Sequence, residues 1–339
     1  MIPFLKPSRT PTAYSPDPQF YAETLDLFLK RRVGNLYNWL YSSPNAADDI
    51  VRGGELLDAL YLNCSDYYLY DKESSLIAAN APDLARAIGP HATLIDYGPG
   101  PVRSYTQKTL PVLQQLVAPK GYVPVDICPE YVAGCEQETH SRLPGMNTNG
   151  IVGDFYDSSI SHKSYNKPVV YFSGSSIANC PEPDAYTLPV NTFKRLETIR
   201  SQLNENGYLV IGHDTNQDEA NLLAAYDNSY LSDLILNVLH RIARDLPVTN
   251  FNPEHFALWV KWDASDRCVK MGVRATKAQT FTLGRTEITI EADDIFHIAS
   301  SYKYPSSLFI GMTEAAGFAH VQSFSEPNNP MAIHIFKAD

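Results

Sequence analysis

The chain has 339 residues, more than a usual single domain, with 44% hydrophobic and 19% charged residues and a formal net charge of −11; this predicts one large core with an elaborated second lobe, or two domains. The acidic balance disfavours nucleic acid, whose binding relies on a Lys/Arg surface, and fits a small or peptide-like partner. No apolar run of about 18 residues suits a bilayer, and the start Met1-Ile2-Pro3-Phe4-Leu5-Lys6 lacks a basic and apolar signal sequence, which predicts a cytoplasmic protein without a membrane role.

A Pro/Ser/Thr-rich start, Pro7 to Pro18, predicts an irregular surface segment, with organised structure from about Gln19. From there to about Ile77 the apolar spacing is helical, through Phe20, Leu25, Leu27, Phe28 and Leu29 and then Leu56, Leu57, Leu60 and Leu62, broken at Pro44 and Gly53-Gly54. The rhythm then changes. Thr93 to Tyr97, Tyr122 to Asp126, Gly150 to Gly153, Val169 to Phe172 and Tyr208 to Gly212 are short apolar runs. Helix-length stretches at Tyr105–Leu116, Glu130–Arg142 and Phe193–Leu203 lie between them, the pattern of βαβ units and a doubly wound parallel sheet.

Beyond Asp218, helical stretches at Glu219–Tyr226 and Tyr230–Leu246 precede two alternating segments. One carries Phe256, Leu258, Val260 and Trp262, the other Val269, Met271, Val273 and Ala275, and both predict half-buried antiparallel strands of an inserted lobe. A last helix from Pro305 to Ala316 leads to strands at His320–Phe324 and Ala332–Phe336, joined through Pro327-Asn328-Asn329-Pro330. The expected division is residues 1–76 as the helical part of the second domain, 77–216 as the wound core, 217–302 as the inserted α+β part and 303–339 as the completion of the core. The five cysteines form no CxxC pair, so free, mostly buried thiols are expected and no metal site.

Asp96-Tyr97-Gly98-Pro99-Gly100-Pro101 follows the first wound strand, where glycine lets backbone approach a cofactor closely. The dinucleotide pattern GxGxxG fails at its last glycine, which is Arg103, and this disfavours NAD. Taken alone, the turn is as compatible with a tight bend that binds nothing. Asp126 closes the second strand, where a carboxylate can accept from two ribose hydroxyls. Gly153-Asp154-Phe155 closes the third, setting an acid and an aromatic ring where an adenine would lie. Each acid alone reads equally as a helix cap; the three in order point to a nucleoside without a pyrophosphate.

Together with Gly54-Glu55-Leu56-Leu57-Asp58, Asp66-Tyr67-Tyr68, Ser173-Gly174-Ser175-Ser176-Ile177-Ala178-Asn179, Leu223-Ala224-Ala225-Tyr226-Asp227, Trp262-Asp263-Ala264 and Ser301-Tyr302-Lys303-Tyr304, these motifs resemble the histidine-specific S-adenosylmethionine-dependent methyltransferase family. The family includes the histidine Nα-methyltransferase of ergothioneine biosynthesis and fungal dimethylallyltryptophan N-methyltransferases of secondary metabolism. The resemblance runs from about Gly53 to the C-terminus. It implies a Rossmann-like class I methyltransferase sheet with a terminal antiparallel hairpin, a second α+β substrate domain, S-adenosylmethionine as cofactor and S-adenosylhomocysteine as product. It also implies cofactor contacts at Gly98, Gly100, Asp126, Asp154 and Phe155. The family often has lysine where Ser104 stands, with Arg103 beside it as a replacement.

For an amino-acid-like substrate, the resemblance implies Asn179 and Tyr226 at the amine and carboxylate, and Tyr67, Met271 and Ser301 around the side chain. The glutamate that takes the imidazole in the histidine enzyme corresponds to Ala299. An imidazole N–H left unpaired costs about 1–3 kcal/mol, roughly tenfold or more in discrimination, so histidine is disfavoured and room opens for a bulkier side chain such as an indole. The implied activity is N-methylation at the α-amino group of a free amino acid or derivative. The alternatives are a side-chain nitrogen or secondary-metabolite acceptor, a non-catalytic nucleoside-binding module and an NAD-binding oxidoreductase. Methyl transfer is an in-line displacement that needs no protein nucleophile; no residue stands out as a base, and a structural role is expected for His213 and Asp214.

Overall fold

The computed structural model describes residues 17–30, 36–41, 53–180 and 189–339. The Pro-rich start ahead of residue 17, the break at Pro44 and the Pro181-Glu182 pair lie outside the described residues. Asp17 accepts the Gln19 and Phe20 amides through Oδ1 and so begins α1 (Pro18–Lys30), with proline at a position that has no N–H to satisfy. The helices α2 (Tyr37–Tyr41), α3 (Gly53–Asn63) and α4 (Tyr68–Ile88) follow, and α4 stops at Gly89, whose φ of 76° is open to glycine. α4 is continuous across residues 76 and 77, where the sequence pattern suggested a division, and it buries Glu73, Leu76 and Ile77.

Next come β1 (Thr93–Tyr97), α5 (Val102–Ser104), a π-helical stretch (Tyr105–Thr109), α6 (Leu110–Leu113), β2 (Gly121–Asp126), α7 (Pro129–Arg142), β3 (Ile151–Val152), β4 (Pro168–Phe172), α8 (Val190–Gln202) and β5 (Tyr208–Asp214). The chain closes with α11 (Ser306–Ala315), β12 (Phe318–Phe324) and β13 (Met331–Ala338), after the α9–α10 and β6–β11 segment described below. Seven strands form one sheet in the order β12-β13-β5-β4-β1-β2-β3. β1 to β5 run parallel, and β13 inserts antiparallel between β5 and β12. β1, β2 and β4 are buried at every position, as expected of strands covered on both faces. Leu94, Tyr122, Val169 and Tyr171 share a core with α4 and α6, while Ile95, Tyr97, Val170 and Phe172 pack with α8 and α11. This is the doubly wound α/β sheet with a terminal antiparallel hairpin that the sequence predicts.

Between β5 and α11 lies the second lobe. α9 (Glu219–Tyr226) and α10 (Ser229–Asp245) are each capped by the preceding residue, Asp218 accepting from the Asn221 amide and Asn228 from Leu231. Two three-stranded sheets follow. One joins β7 (Phe256–Asp263), β8 (Cys268–Ala275) and β11 (Ile295–Tyr302); the other joins β6 (Val248–Thr249), β9 (Gln279–Leu283) and β10 (Thr286–Ile290). The N-terminal helices complete this lobe: Phe28 of α1 meets Phe251, Phe281 and Phe296 edge-on at 5.2–5.8 Å between centroids, a favourable ring geometry. All five cysteines are free and all but Cys64 buried.

β8 and β11 set Met271 directly opposite Ala299, next to a register irregularity between His297 and Ala299. Gly272 permits that pairing, since a Cβ there would lie 2.1 Å from the Phe296 carbonyl oxygen. Gly272→Ala is expected to lower stability by at least about 1–3 kcal/mol through overpacking, measured as a lowered urea midpoint; a midpoint equal to wild type would show that the strands separate freely.

Candidate active site

The loops after β1, β2 and β3 open into one cavity of about 140 Å³. Gly98 and Gly100 both have positive φ, 66° and 67°, a conformation glycine adopts without strain. The Gly98 amide donates to the Val125 carbonyl at 2.8 Å and the Gly100 amide to Asp126 Oδ2 at 3.3 Å, so the turn is tied to the end of β2. Asp126 also accepts from the Cys128 amide at 2.9 Å. Burial pushes its carboxyl up to about 6, against the lowering effect of those amides. Asp154 accepts from the Tyr156 amide at 2.9 Å, and the Phe155 ring, stacked 5.2 Å from Tyr97, forms part of the wall.

Ser104 lines the cavity, but Arg103 does not. Arg103 is exposed, and its charge partly offsets the rise that burial imposes on Asp58. Lys108 lines the cavity instead; it lies in the π-helical stretch that follows Ser104, a local geometry frequent at functional sites. Lys108 is buried, with Nζ 2.7 Å from Glu73 Oε2 and 4.8 Å from the Tyr70 ring centroid. Glu73 in turn accepts the Gly174 amide at 2.8–2.9 Å, fixing the loop after β4.

A second, smaller cavity of about 40 Å³ adjoins the first, and Tyr37, Leu57, Tyr67 and Asn179 line both. Asn179 donates through Nδ2 to the Tyr37 hydroxyl at 2.8 Å, while its Oδ1 is buried without a hydrogen-bond partner. Buried acceptors are seldom left so, and this one borders both cavities. Tyr226, Met271, Ala299 and Ser301 line the smaller cavity. Tyr67 meets Tyr226 edge-on at 5.7 Å.

Beneath Tyr226 and Ser301 lies a buried charge network. Lys303 donates to the Tyr226 hydroxyl at 2.8 Å and to Ser301 Oγ at 3.1 Å, and pairs with Asp214 Oδ2 at 2.8 Å, both side chains fully buried. The Tyr68 hydroxyl donates to the same Asp214 oxygen at 2.6 Å. Since Lys303 donates to both hydroxyls, and Tyr226 and Ser301 stand 3.1 Å apart, one hydroxyl hydrogen satisfies the other and one remains for a ligand. His213 points elsewhere, stacked on Phe309 at 4.3 Å with Nε2 3.0 Å from His334 Nε2, and burial holds it well below its ordinary value. Asp214 and His213 thus have structural contacts, as expected.

Of the residues singled out in the sequence, all but Arg103 line the two cavities. Lys108, Tyr37 and Arg195 also line them, Arg195 with its guanidinium 4.4 Å from the Tyr156 ring centroid. Lys108 carried a legible signal, its helical spacing from the serine that replaces a lysine; Tyr37 and Arg195 carried none. Lys303 stands inside a quoted motif, but its partner Asp214 belongs to a different strand. Among the described residues, no helix is long and apolar enough to cross a membrane, and no group of three or more His, Cys, Asp or Glu could hold a metal ion.

A seven-stranded sheet with an antiparallel β13, a glycine turn after β1, an acid after β2 and an acid-aromatic pair after β3 define a class I S-adenosylmethionine-dependent methyltransferase. The family model described as "Histidine-specific methyltransferase, SAM-dependent" matches residues 37–338, and the chain belongs to that family. It is 23% identical over 242 residues to the histidine N-alpha-methyltransferase of Mycolicibacterium smegmatis, covering 70% of this chain and 72% of that one. It is 23% identical over 286 residues to N-methyltransferase imqF of Aspergillus flavus, covering 81% and 75%. With N-methyltransferase fsqC of Aspergillus fumigatus the identity is 21% over 294 residues, covering 82% and 74%. Among solved structures, an S-adenosylmethionine-dependent methyltransferase from Clostridium acetobutylicum aligns with a TM-score of 0.42 at 12% identity, over 79% of this chain and 92% of that one. The chain is an S-adenosylmethionine-dependent N-methyltransferase.

Glu73→Ala would leave the buried Lys108 ammonium without its counter-ion and the Gly174 amide without its acceptor. The expected loss is about 3–5 kcal/mol, read from the urea midpoint, with a smaller loss for Glu73→Gln.

Proposed function

We propose that this methyltransferase acts on the α-amino group of a free amino acid or close derivative other than histidine. The observation that carries the reading is the unpartnered Asn179 Oδ1 at the junction of the two cavities. A neutral amide oxygen there accepts from an amine N–H while the Tyr67 hydroxyl and the one hydrogen left on the Tyr226–Ser301 pair supply donors for a carboxylate. Ala299 supports the exclusion of histidine: it is buried opposite Met271, and among the described residues no carboxylate lines the smaller cavity.

The donor side fits the cofactor by its own chemistry. Two positive-φ glycines leave the turn without a Cβ, Asp126 retains lone pairs for two ribose hydroxyls, and Asp154 and Phe155 offer an acceptor and a ring face to adenine. Lys108 takes the place proposed for Arg103 and faces the methionyl carboxylate, with Ser104 beside it. S-adenosylmethionine supplies an electrophilic methyl carbon on a sulfonium. The chain's part is to hold a neutral amine in line and keep water out. No residue of the chain forms a covalent bond in this scheme, and the amine sheds its proton to solvent before it is enclosed.

Release of S-adenosylhomocysteine measured across the twenty amino acids, with mass spectrometry locating the new methyl group, tests this. Turnover with one or more non-histidine amino acids and a methyl on the α-nitrogen is expected; no turnover with any, or a methyl on a side chain, overturns it.

Asp126 makes cofactor affinity pH-dependent. The ionised carboxylate is the better acceptor for two hydroxyls, and its pKa is pushed up to about 6. Affinity for S-adenosylhomocysteine by calorimetry is expected to be flat above about pH 7 and to fall, by up to about tenfold per pH unit, as pH drops through the value at which Asp126 protonates. Asp126→Asn should bind more weakly at neutral pH and lose the slope. The ligand-free protein has the opposite sign: a raised carboxyl contributes stability at low pH that is lost as pH rises through about 6.

A further inference from the structure

We infer that the acceptor carries a short, branched aliphatic side chain, of the size of leucine or isoleucine, and not an indole or imidazole. The inference rests on the α-amino-acid reading above and concerns the smaller cavity alone. The polar groups of that cavity, Asn179, Tyr226 and Ser301 among them, belong to its amine and carboxylate end. The remainder is lined by Leu40, Leu60, Leu231, Leu234, Ile235 and Met271, with Ala299 across from the methionine. All of these are buried. Among the described residues no carboxylate, imidazole or charged group lines the cavity, so a ring N–H in the aliphatic part meets no acceptor from them, and an unpaired buried donor is strongly disfavoured.

Size points the same way. A cavity of about 40 Å³ has room for about three water-sized probes, since each needs roughly 10–15 Å³. That favours a small branched alkyl group over the fused two-ring indole with its nine ring atoms. Interiors are packed nearly as densely as organic crystals, so a larger ring would have to displace leucines from two helices at once. Leu231, Leu234 and Ile235 stand on α10 and Leu60 on α3, and the two helices pack against each other. Ala299, which opens space where a longer side chain would close it, sets the depth. Each buried methylene favours binding by roughly fourfold, the affinity equivalent of about 0.8 kcal/mol, so leucine should exceed alanine by about tenfold or more.

The test is calorimetric titration of the full chain, saturated with S-adenosylhomocysteine, with leucine, isoleucine, alanine, phenylalanine, tryptophan and histidine. The inference expects leucine or isoleucine to bind at least tenfold more tightly than alanine, tryptophan and histidine. Tryptophan, phenylalanine or histidine binding as tightly as leucine overturns it while leaving the α-amino-acid reading in place. No binding of any amino acid, with S-adenosylhomocysteine still bound, overturns that reading and the inference with it. Ala299→Val adds two methyl groups to the floor on a strand, where a β-branched residue is well tolerated. Leucine affinity should then fall about tenfold while alanine and S-adenosylhomocysteine affinities hold. Should this variant fold poorly, Ile235→Val removes one methylene and should weaken isoleucine by roughly fourfold; no change in either variant overturns the inference.

Discussion

The ion pair between Lys303 and Asp214 is the contact on which the two halves of the molecule depend. Asp214 ends β5 of the wound sheet, and Lys303 directly follows β11 of the inserted lobe. Two fully buried charges carry a desolvation penalty of several kcal/mol each, offset only when their remaining hydrogen-bonding groups are satisfied. Here they are: Tyr68 donates to Asp214, and Lys303 donates to Tyr226 and Ser301. These partners come from α4, α9 and β11, so the network fixes three elements of the acceptor cavity to the end of one core strand. A hydrophobic pair of similar size would pack as well but would orient no hydroxyl.

A second buried pair does the corresponding task on the donor side. Lys108 and Glu73 link the helix after β1 to α4 and, through the Gly174 amide, to the loop after β4. That loop continues into Asn179, one of the residues that border both cavities. The helix that follows the cofactor turn and the loop that leads to Asn179 are therefore held by one carboxylate, Glu73.

What was legible in the sequence follows from range. β1, β2, β4 and β5 read clearly because strands buried on both faces are continuous apolar runs, and the order of Gly98, Asp126 and Asp154 along the chain matches their convergence in space. β9 and β10 are less legible: Gln279–Leu283 and Thr286–Ile290 alternate with threonine and glutamate, and Phe281 of β9 packs against Phe28, far away in the chain. Lys108 was obscured for another reason. The motif drew attention to Arg103, adjacent to the serine that replaces a lysine, whereas a helix returns to the same face only three or four residues later. Tyr37 reaches Asn179 across 142 residues of sequence, a pairing that no local pattern encodes.

The charge balance of the acceptor site also bears on how the proposed reaction avoids a dedicated base. A free carboxylate near the amine would stabilise the ammonium form, which has no lone pair and cannot attack the methyl carbon. Among the described residues the smaller cavity is lined by an amide, hydroxyls and apolar groups, and the carboxylates of the larger one, Asp126 and Asp154, already accept backbone amides. Asp214 lies beneath Tyr226 and Ser301, and the Lys303 ammonium offsets its charge at 2.8 Å. The same ion pair that joins the lobes therefore leaves no uncompensated carboxylate beneath Tyr226 and Ser301 that would favour the ammonium form of an amine bound there.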